Sequence, residues 1–508
     1  MTRRFMPNQP FLIGCYAGLT LMISGCAWIP PGDKPAEFLN TPSMEHALSH
    51  AGRSELGHWP HEHWWREFGN AELNNLMATA LKDSPSLKAA AARLRQAQAL
   101  VRVEGARLLP FLDAAAGVET GHFSGNGYNV ALRGENIVAA FITPLSLRYQ
   151  FDFWGKNRAL LEAALGEAEA EKAEQAGVLL QLTGSIARSY IHGIALRQQL
   201  DLAHAMVELR RGLLDIDETR LRLGLDSADQ AKQAAIELEQ ANKREAGLRD
   251  QLNIQRNLLA RLIGGGPDSA KNLFGDTAIK AEKIQLPAKL PLELLRHRPD
   301  LASALYRAEA SAQRIKAGKA AFLPTIDLTA FVGVNALRFT TQGASSLANL
   351  LFSGSSFSYG IAPGLRLPWF EGGRLRGELS AQRAEYDGAV ELYNETLLHA
   401  VQEAADSLSR WRQTQAILEA QGRLLSAQHE NLDLAQQRFR SGLDDRRALL
   451  AHQHAVLSQE YALKALEADQ RAAVVDLVEA LGGGYVNDLK TPEQTPEPKQ
   501  SGWLPWRI

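Results

Sequence analysis

The side chain best placed for covalent chemistry is Cys26, one of only two cysteines in 508 residues. Arg3 and Arg4 precede an apolar stretch from Phe11 to Ile23, and the small residues Ser24 and Gly25 lead directly into Cys26. Small side chains let a peptidase approach the backbone, and the thiol behind them is the nucleophile that takes a lipid. Leu21-Met22-Ile23-Ser24-Gly25-Cys26 therefore reads as a bacterial lipobox, with residues 1–25 as a removable signal. The apolar stretch falls short of the roughly 20 residues that a membrane-spanning helix needs. Cys15 leaves with the signal, so the mature chain starts at Cys26 and holds no second cysteine for a disulfide. Ala27 stands where lipoproteins kept at the inner membrane commonly carry Asp, which points to the outer membrane.

The other cluster with ligand chemistry is His58, His61, Glu62 and His63. A metal site needs convergent geometry that a sequence does not show, and the cluster reads first as an exposed polar stretch beside Trp64 and Trp65, with metal binding by His58, His61 and His63 left open. Six methionines suggest no copper or silver relay. There is no Walker loop, no G-x-S-x-G elbow and no nucleophile–base set. No catalytic residue, metal or cofactor is expected.

Composition narrows the class. Lys and Arg total 55 against 57 Asp and Glu, a net charge of -2, which argues against a nucleic-acid binder with a basic stripe. A mean hydropathy of -0.21 leaves no room for a bundle of membrane helices.

The elements that carry these residues are duplicated. Pro85 and Pro299 open Ala/Arg-rich helical runs that end at Pro110 and Pro324, and the same offset in numbering relates the members of both pairs. Arg220-x-x-x-Gly224-Leu225-Asp226 returns, at a slightly longer offset, as Arg438-x-x-x-Gly442-Leu443-Asp444. Gly264-Gly265-Gly266 and Gly482-Gly483-Gly484, and Gly155…Arg158 and Gly373…Arg376, share that longer offset. The change of register falls between Pro110 and Gly155, where a loop can absorb it. Leu145 to Gly266 and Trp369 to Thr491 contain no proline and are rich in strong helix formers. Leu449, Val456 and Leu463 recur at seven-residue spacing, a coiled-coil-like seam. A helix over Lys156–Arg222 would run on the order of 100 Å. Gly224 and Gly442 then sit where helical hairpins turn, with a following Asp as N-cap.

The remaining texture is strand-like. Leu145, Leu147, Tyr149 and Phe151 alternate with Ser146, Arg148, Gln150 and Asp152; similar alternation runs through Ile326–Val334 and Phe357–Leu367, and more weakly through Leu112–Val118. Each segment has about the length a tilted strand needs to cross a bilayer. Four strands cannot close a membrane barrel, for which about eight is the minimum, and an open edge cannot sit in lipid. Three copies would pool 3 × 4 strands, twelve in all.

In order along the chain, a lipobox, Trp64-Trp65-x-x-Phe68 and Pro85-x-Leu87 resemble the start of the TolC-like outer-membrane factors. More narrowly, they resemble the NodT-type lipoproteins that serve RND efflux pumps. Phe151-Asp152-Phe153-Trp154-Gly155-Lys156, Leu295-x-x-Arg298-Pro299-Asp300-Leu301, Phe370-x-Gly372-Gly373-Arg374 and Ala480-Leu481-Gly482-Gly483-Gly484 resemble further family signatures. The resemblance implies a mainly α fold with transmembrane β: long helices of an α-helical barrel, plus four strands per protomer in a 12-stranded barrel of a homotrimer. The barrel would sit in outer-membrane lipid, and the tube would dock onto a periplasmic adaptor (membrane fusion) protein and an inner-membrane RND transporter. The implied function is a passive exit duct for drugs or toxic small solutes.

The expected organisation is a signal over 1–25, a lipidated segment over 26–70 and a first repeat over 71–266 with strands near 110–122 and 139–153. A linker over 267–290, a second repeat over 291–485 with strands near 324–336 and 356–369, and a tail over 486–508 follow. Arg220, Gly224, Leu225, Asp226, Ser227, Arg438, Gly442, Leu443, Asp444 and Asp445 are the expected adaptor-facing tips. Many relatives ring the closed aperture with a carboxylate nine residues after the second tip glycine; here that position is Ala451, leaving Asp444, Asp445, Arg446 and Arg447 as aperture candidates. Arg148, Gln150, Asp152, Asp327 and Arg366 are expected to face a wet lumen. Two rival readings stand beside this one: the exit duct of a type I protein-secretion system, and a pore-free, lipid-anchored periplasmic coiled-coil scaffold.

Overall fold

A computed structural model describes residues 29–40, 42, 60–126, 133–275, 297–339 and 346–487. Cys26, His58, the 1–25 segment, 276–296 and the tail after 487 lie outside these described residues. The helices are α1 (Ala71–Asp83), α2 (Pro85–Ala106), α3 (Lys156–Arg222), α4 (Ala228–Leu262), α5 (Pro299–Ala320), the short α6 (Leu347–Leu351), α7 (Arg374–Arg440) and α8 (Arg446–Ala480). The strands are β1 (Phe111–His122), β2 (Asn136–Phe151), β3 (Thr325–Phe339) and β4 (Phe357–Arg366).

The duplication carries through to element length. The helices α2 and α5 each have 22 residues, α3 and α7 each have 67, and α4 and α8 each have 35. Proline would remove a helix hydrogen bond and clash with the preceding turn, so its absence permits a 67-residue run of about 100 Å. No described helix is long and apolar enough to cross a membrane.

The four longest helices all end in one way. At Gly224, Gly264, Gly442 and Gly482 the backbone turns left-handed, with φ of 72°, 82°, 70° and 88°. The N–H of the next residue reaches back five positions, as in Leu225 N–H to Arg220 O at 2.9 Å and Leu443 N–H to Arg438 O at 2.9 Å. This Schellman closure satisfies carbonyls that would otherwise be orphaned.

Contacts divide the chain into two compact units. Of the described residues, the first comprises 29–37, 95–126, 133–169, 306–339 and 346–391 and holds the sheet, an antiparallel array in the order β1-β2-β3-β4. Trp154 Nε1 donates to the Pro324 carbonyl at 2.7 Å, tying the end of one hairpin to the start of the other. The Arg383 guanidinium donates to the Pro30 carbonyl, and the Ala36 N–H to Asp387, so an extended N-terminal segment lies along α7.

Of the described residues, the second unit comprises 38–40, 42, 60–94, 170–275, 297–305 and 392–487. Its core gathers Trp64, Trp65, Phe68, Leu73, Met77, Ile186, Tyr190, Leu252, Leu259 and Val475. Glu72 accepts from Tyr190 Oη at 2.6 Å and from the Phe274 N–H at 3.1 Å, so its charge is met where the apolar surfaces converge. The repeat recurs in packing: a Cβ on Gly264 would meet the Asp83 carbonyl, and one on Gly482 would meet the carbonyl of His297, the counterpart of Asp83 in the second repeat. In both repeats the glycine that ends a long helix also admits the backbone just before a proline-started helix. Buried Arg298 secures the second copy through Asp300, Glu403 and the Ala480 carbonyl. In the first copy a Ser84–Ser86 hydrogen bond stands in its place.

One substitution should therefore act with opposite signs at two glycines. Gly482→Ala forces a side chain into a left-handed position against His297 and is expected to destabilise by about 1–3 kcal/mol. Gly422→Ala, in the exposed middle of α7 with nothing near it, is expected to stabilise by about 0.5–1 kcal/mol. Thermal unfolding of the two variants against the parent checks both signs.

Candidate functional site

The sheet has two chemically different faces, and the register assigns every residue to one of them. Directly paired residues share a face, so the pairs Arg148–Thr329, Gln150–Asp327 and Thr325–Arg366 put Arg148, Gln150, Asp327 and Arg366 on the same side. Asp113 joins them through Ser146, and Arg148 reaches diagonally to Asp113 at 2.5 Å. On the other face stand Leu112, Val118, Leu145, Leu328, Tyr359, Ile361 and Leu365. Tyr359 is 76% and Ile361 74% exposed. A sheet that exposes apolar residues on one side and charged ones on the other suits a wall between lipid and water.

Asp152 lies just beyond the strand whose alternation groups it with Arg148 and Gln150. Strand β2 ends at Phe151, and the Asp152 carboxylate accepts the Asn157 and Arg158 N–H groups, both at 2.9 Å, at the start of α3. Two orphan amides and the positive end of the helix dipole hold the carboxylate there. The carboxylate caps a helix.

The tips of the hairpins α3–α4 and α7–α8 are built alike. Arg220 donates to Asp226 at 2.5 and 3.4 Å, and Arg438 to Asp444 at 2.8 and 3.2 Å. Each arginine thus closes its loop twice, by its carbonyl in the Schellman turn and by its guanidinium across it. Neither Asp226 nor Asp444 is the N-cap expected from sequence. That place falls to Ser227, which makes no side-chain cap bond, and to Asp445, which accepts the Ala448 N–H at 3.0 Å. The loop geometry presents Leu225 and Leu443 to solvent, 60% and 72% exposed.

One cation joins the two tips. Arg447 donates to Asp226 at 3.0 Å, to Asp217 at 3.3 Å and to Asp445 at 3.2 Å, with Gln230 at 3.5 Å. Two turns farther along α8, His454 Nε2 lies 3.3 Å from Arg210, which stands two turns before Asp217 on α3. Arg210 is also paired with Glu237 of α4. The α3–α8 seam thus carries two polar layers near the tips. Asp217, Arg210 and His454 escaped the sequence reading; the heptad spacing of Arg210 to Asp217 and of Arg447 to His454 was the available signal. Arg446 opens α8 on an exposed position, and Ala451 is exposed just beyond it. His61, Glu62 and His63 are exposed, and no group of three potential metal ligands occurs among the described residues.

Four strands with one wet and one apolar face, followed by 67-residue helices that end in glycine turns, define a protomer of a TolC-like outer-membrane channel. A family profile, Outer membrane efflux protein, matches residues 76–265 and again 290–483, its two starts spaced like Pro85 and Pro299 and its two ends like Gly224 and Gly442. The chain belongs to that family, whose members are channels rather than enzymes, and its place is the outer membrane. It is similar to the pyoverdine export outer membrane protein OpmQ of Pseudomonas aeruginosa, 30% identical over 95% of this chain and 98% of the relative. It is also similar to the multidrug resistance outer membrane protein MdtP of Shigella flexneri, 27% identical over 92% and 95%. Among solved structures, the outer membrane protein VceC of Vibrio cholerae superposes with a TM-score of 0.74 at 32% identity, over 84% of this chain and all of that one. A pore-free scaffold does not accord with this family.

The tips carry an acid response with a definite sign. The hydrogen bond from Arg220, with Arg447 adding to it, holds the Asp226 carboxyl below the usual range, and the Ala448 N–H does the same for Asp445. Burial, with Arg210 and Arg244 nearby, pushes His454 down. A lowered carboxylate stabilises fully above its unfolded pKa, about 4, and that contribution is lost as pH falls through the folded value. A histidine held neutral contributes fully above about 6.5 and loses ground below it. Amide protection at the tips is therefore expected to fall in two acid steps, with the first absent from His454→Gln. A variant that retains the first step would exclude the histidine as its origin.

Proposed function

We propose that three copies of the chain join their sheets into one twelve-stranded barrel. The product is a passive exit duct for drugs or other small toxic solutes in a tripartite RND-type efflux pump. The observation that carries this reading is the sheet: its exposed apolar face calls for lipid, while β1 and β4 are edge strands within the chain. An edge in hydrocarbon leaves backbone groups without partners, so closure through further copies is the arrangement that satisfies them. Exposed Phe153, Trp154, Trp369 and Phe370 where the strands give way to helices fit an interfacial aromatic belt. Relatives named for multidrug resistance and pyoverdine export support small solutes as cargo, rather than the proteins of a type I secretion system.

The tips would dock on a periplasmic adaptor, with Leu225 and Leu443 as apolar contacts ringed by the arginine–aspartate pairs. With Ala451 in the place of an aperture carboxylate, Arg447 is the natural latch, because it holds the second hairpin to the first. The purified chain in planar bilayers should conduct ions as a trimer, and Arg447→Ala should raise its conductance severalfold. Absence of conductance in the parent would sink the duct, whereas an unchanged Arg447→Ala would sink only the latch.

Lipidation at Cys26 would seat the mature N-terminus in the outer membrane. Mass spectrometry is expected to find diacylglyceryl and acyl chains on Cys26, and Cys26→Ser should lack them. An unmodified cysteine after correct export would overturn the anchor.

A further inference from the structure

Two glycines on the wet face of the sheet lie beneath phenylalanine rings. Gly117 of β1 pairs with Phe141 of β2, and Gly360 of β4 pairs with Phe331 of β3. A Cβ built on Gly117 would stand 2.7 Å from Cε1 and Cζ of Phe141; one on Gly360 would stand 2.7 Å from Cε1 and 3.1 Å from Cζ of Phe331. Each ring therefore lies flat across the neighbouring strand, in space that any other residue would fill. Both rings belong to the wet face: Phe331 pairs with Ser146, in line with Arg148 and Gln150, and Phe141 pairs with Asn335, whose amide donates to Ser358.

The duplication shows that the pairing is specific. Gly117 and Phe331 are counterparts, related by the offset that carries Pro110 to Pro324, so the two hairpins hold the same pair at the same level with glycine and phenylalanine exchanged. The exchange places both rings on the inner strands β2 and β3, and both glycines on the edge strands β1 and β4. Elsewhere on the wet face the edge strands mix small residues, Ala115 and Gly121 on β1 and Ala362 and Gly364 on β4, with charged ones, Asp113 and Glu119 on β1 and Arg366 on β4.

We propose that Phe141 and Phe331 set the bore of the strand-lined part of the duct, and that Gly117 and Gly360 hold their rings against the wall. A side chain at either glycine would lift the ring beside it into the lumen, narrowing the path for bulky solutes while sparing small ions. The rings would also offer passing solutes an aromatic surface beside the polar groups of Arg148, Gln150 and Asp327. The proposal rests on the barrel reading above.

The test uses the full chain in the outer membrane of intact cells. Thr329→Cys places a thiol on the wet face beyond both rings as seen from the loop ends of the strands, and the natural cysteines lie at 15 and 26. A small methanethiosulfonate reagent and bulky maleimide–polyethylene glycol conjugates are added from outside. Addition of Gly117→Val or Gly360→Val is expected to slow bulky labelling about tenfold or more and to leave small-reagent labelling unchanged. Phe141→Ala with Gly117→Val, or Phe331→Ala with Gly360→Val, should restore the bulky rate. Unchanged bulky labelling in the valine variants, or no recovery in the doubles, overturns the proposal. If the valine variants do not assemble, Phe141→Ala and Phe331→Ala alone must speed bulky labelling, and unchanged rates there overturn it equally. A parent that admits neither reagent defeats the barrel reading, and this inference with it.

Discussion

A backbone N–H or C=O placed in hydrocarbon has no water to bond, and each one left alone costs several kcal/mol. The sheet of this chain ends in two such rows, along β1 and β4, and shows its apolar residues to the outside. The remaining architecture accommodates that condition. On the proposed reading, the edges are satisfied by neighbouring copies and the polar face is turned to water.

The helices answer a different demand with the same economy. A 67-residue helix has no interior proline and stops where a single glycine turns left-handed. The chain uses that stop four times, twice at the tips and twice at the junctions with the proline-started helices. Duplication supplies the backbone plan, and substitution then specialises each copy. Buried Arg298 ties its junction with three partners, where the first repeat uses two serines. Arg447 has no counterpart in the first hairpin, where its place is taken by Asp229, so its hydrogen bonds to Asp217 and Asp226 are not mirrored from that position.

Much of this was legible beforehand because it is local. A helix start after proline, a glycine at a hairpin turn and the period-two alternation of β2 and β3 depend on neighbours along the chain. What spacing leaves open is the competition between neighbours for one carboxylate. Asp152 continues an alternating pattern by one residue too many, and the helix that begins beside it takes its carboxylate. Asp226 has the type and position of an N-cap, yet the guanidinium of Arg220 claims it first. Charge-assisted pairing is the stronger bond, and spacing alone cannot rank the two.

From its own order of residues the chain determined two repeats, their long proline-free helices, four strands with one apolar face, and four glycine stops, because each rests on conformational preference and periodicity. Tertiary structure decided which residues meet. It brought Arg447 of the second repeat to Asp217 and Asp226 of the first, laid Phe141 and Phe331 over Gly117 and Gly360, and set the Gly264 and Gly482 turns against Asp83 and His297. Those contacts join distant segments, and their geometry depends on strand register and helix packing, which no local pattern encodes.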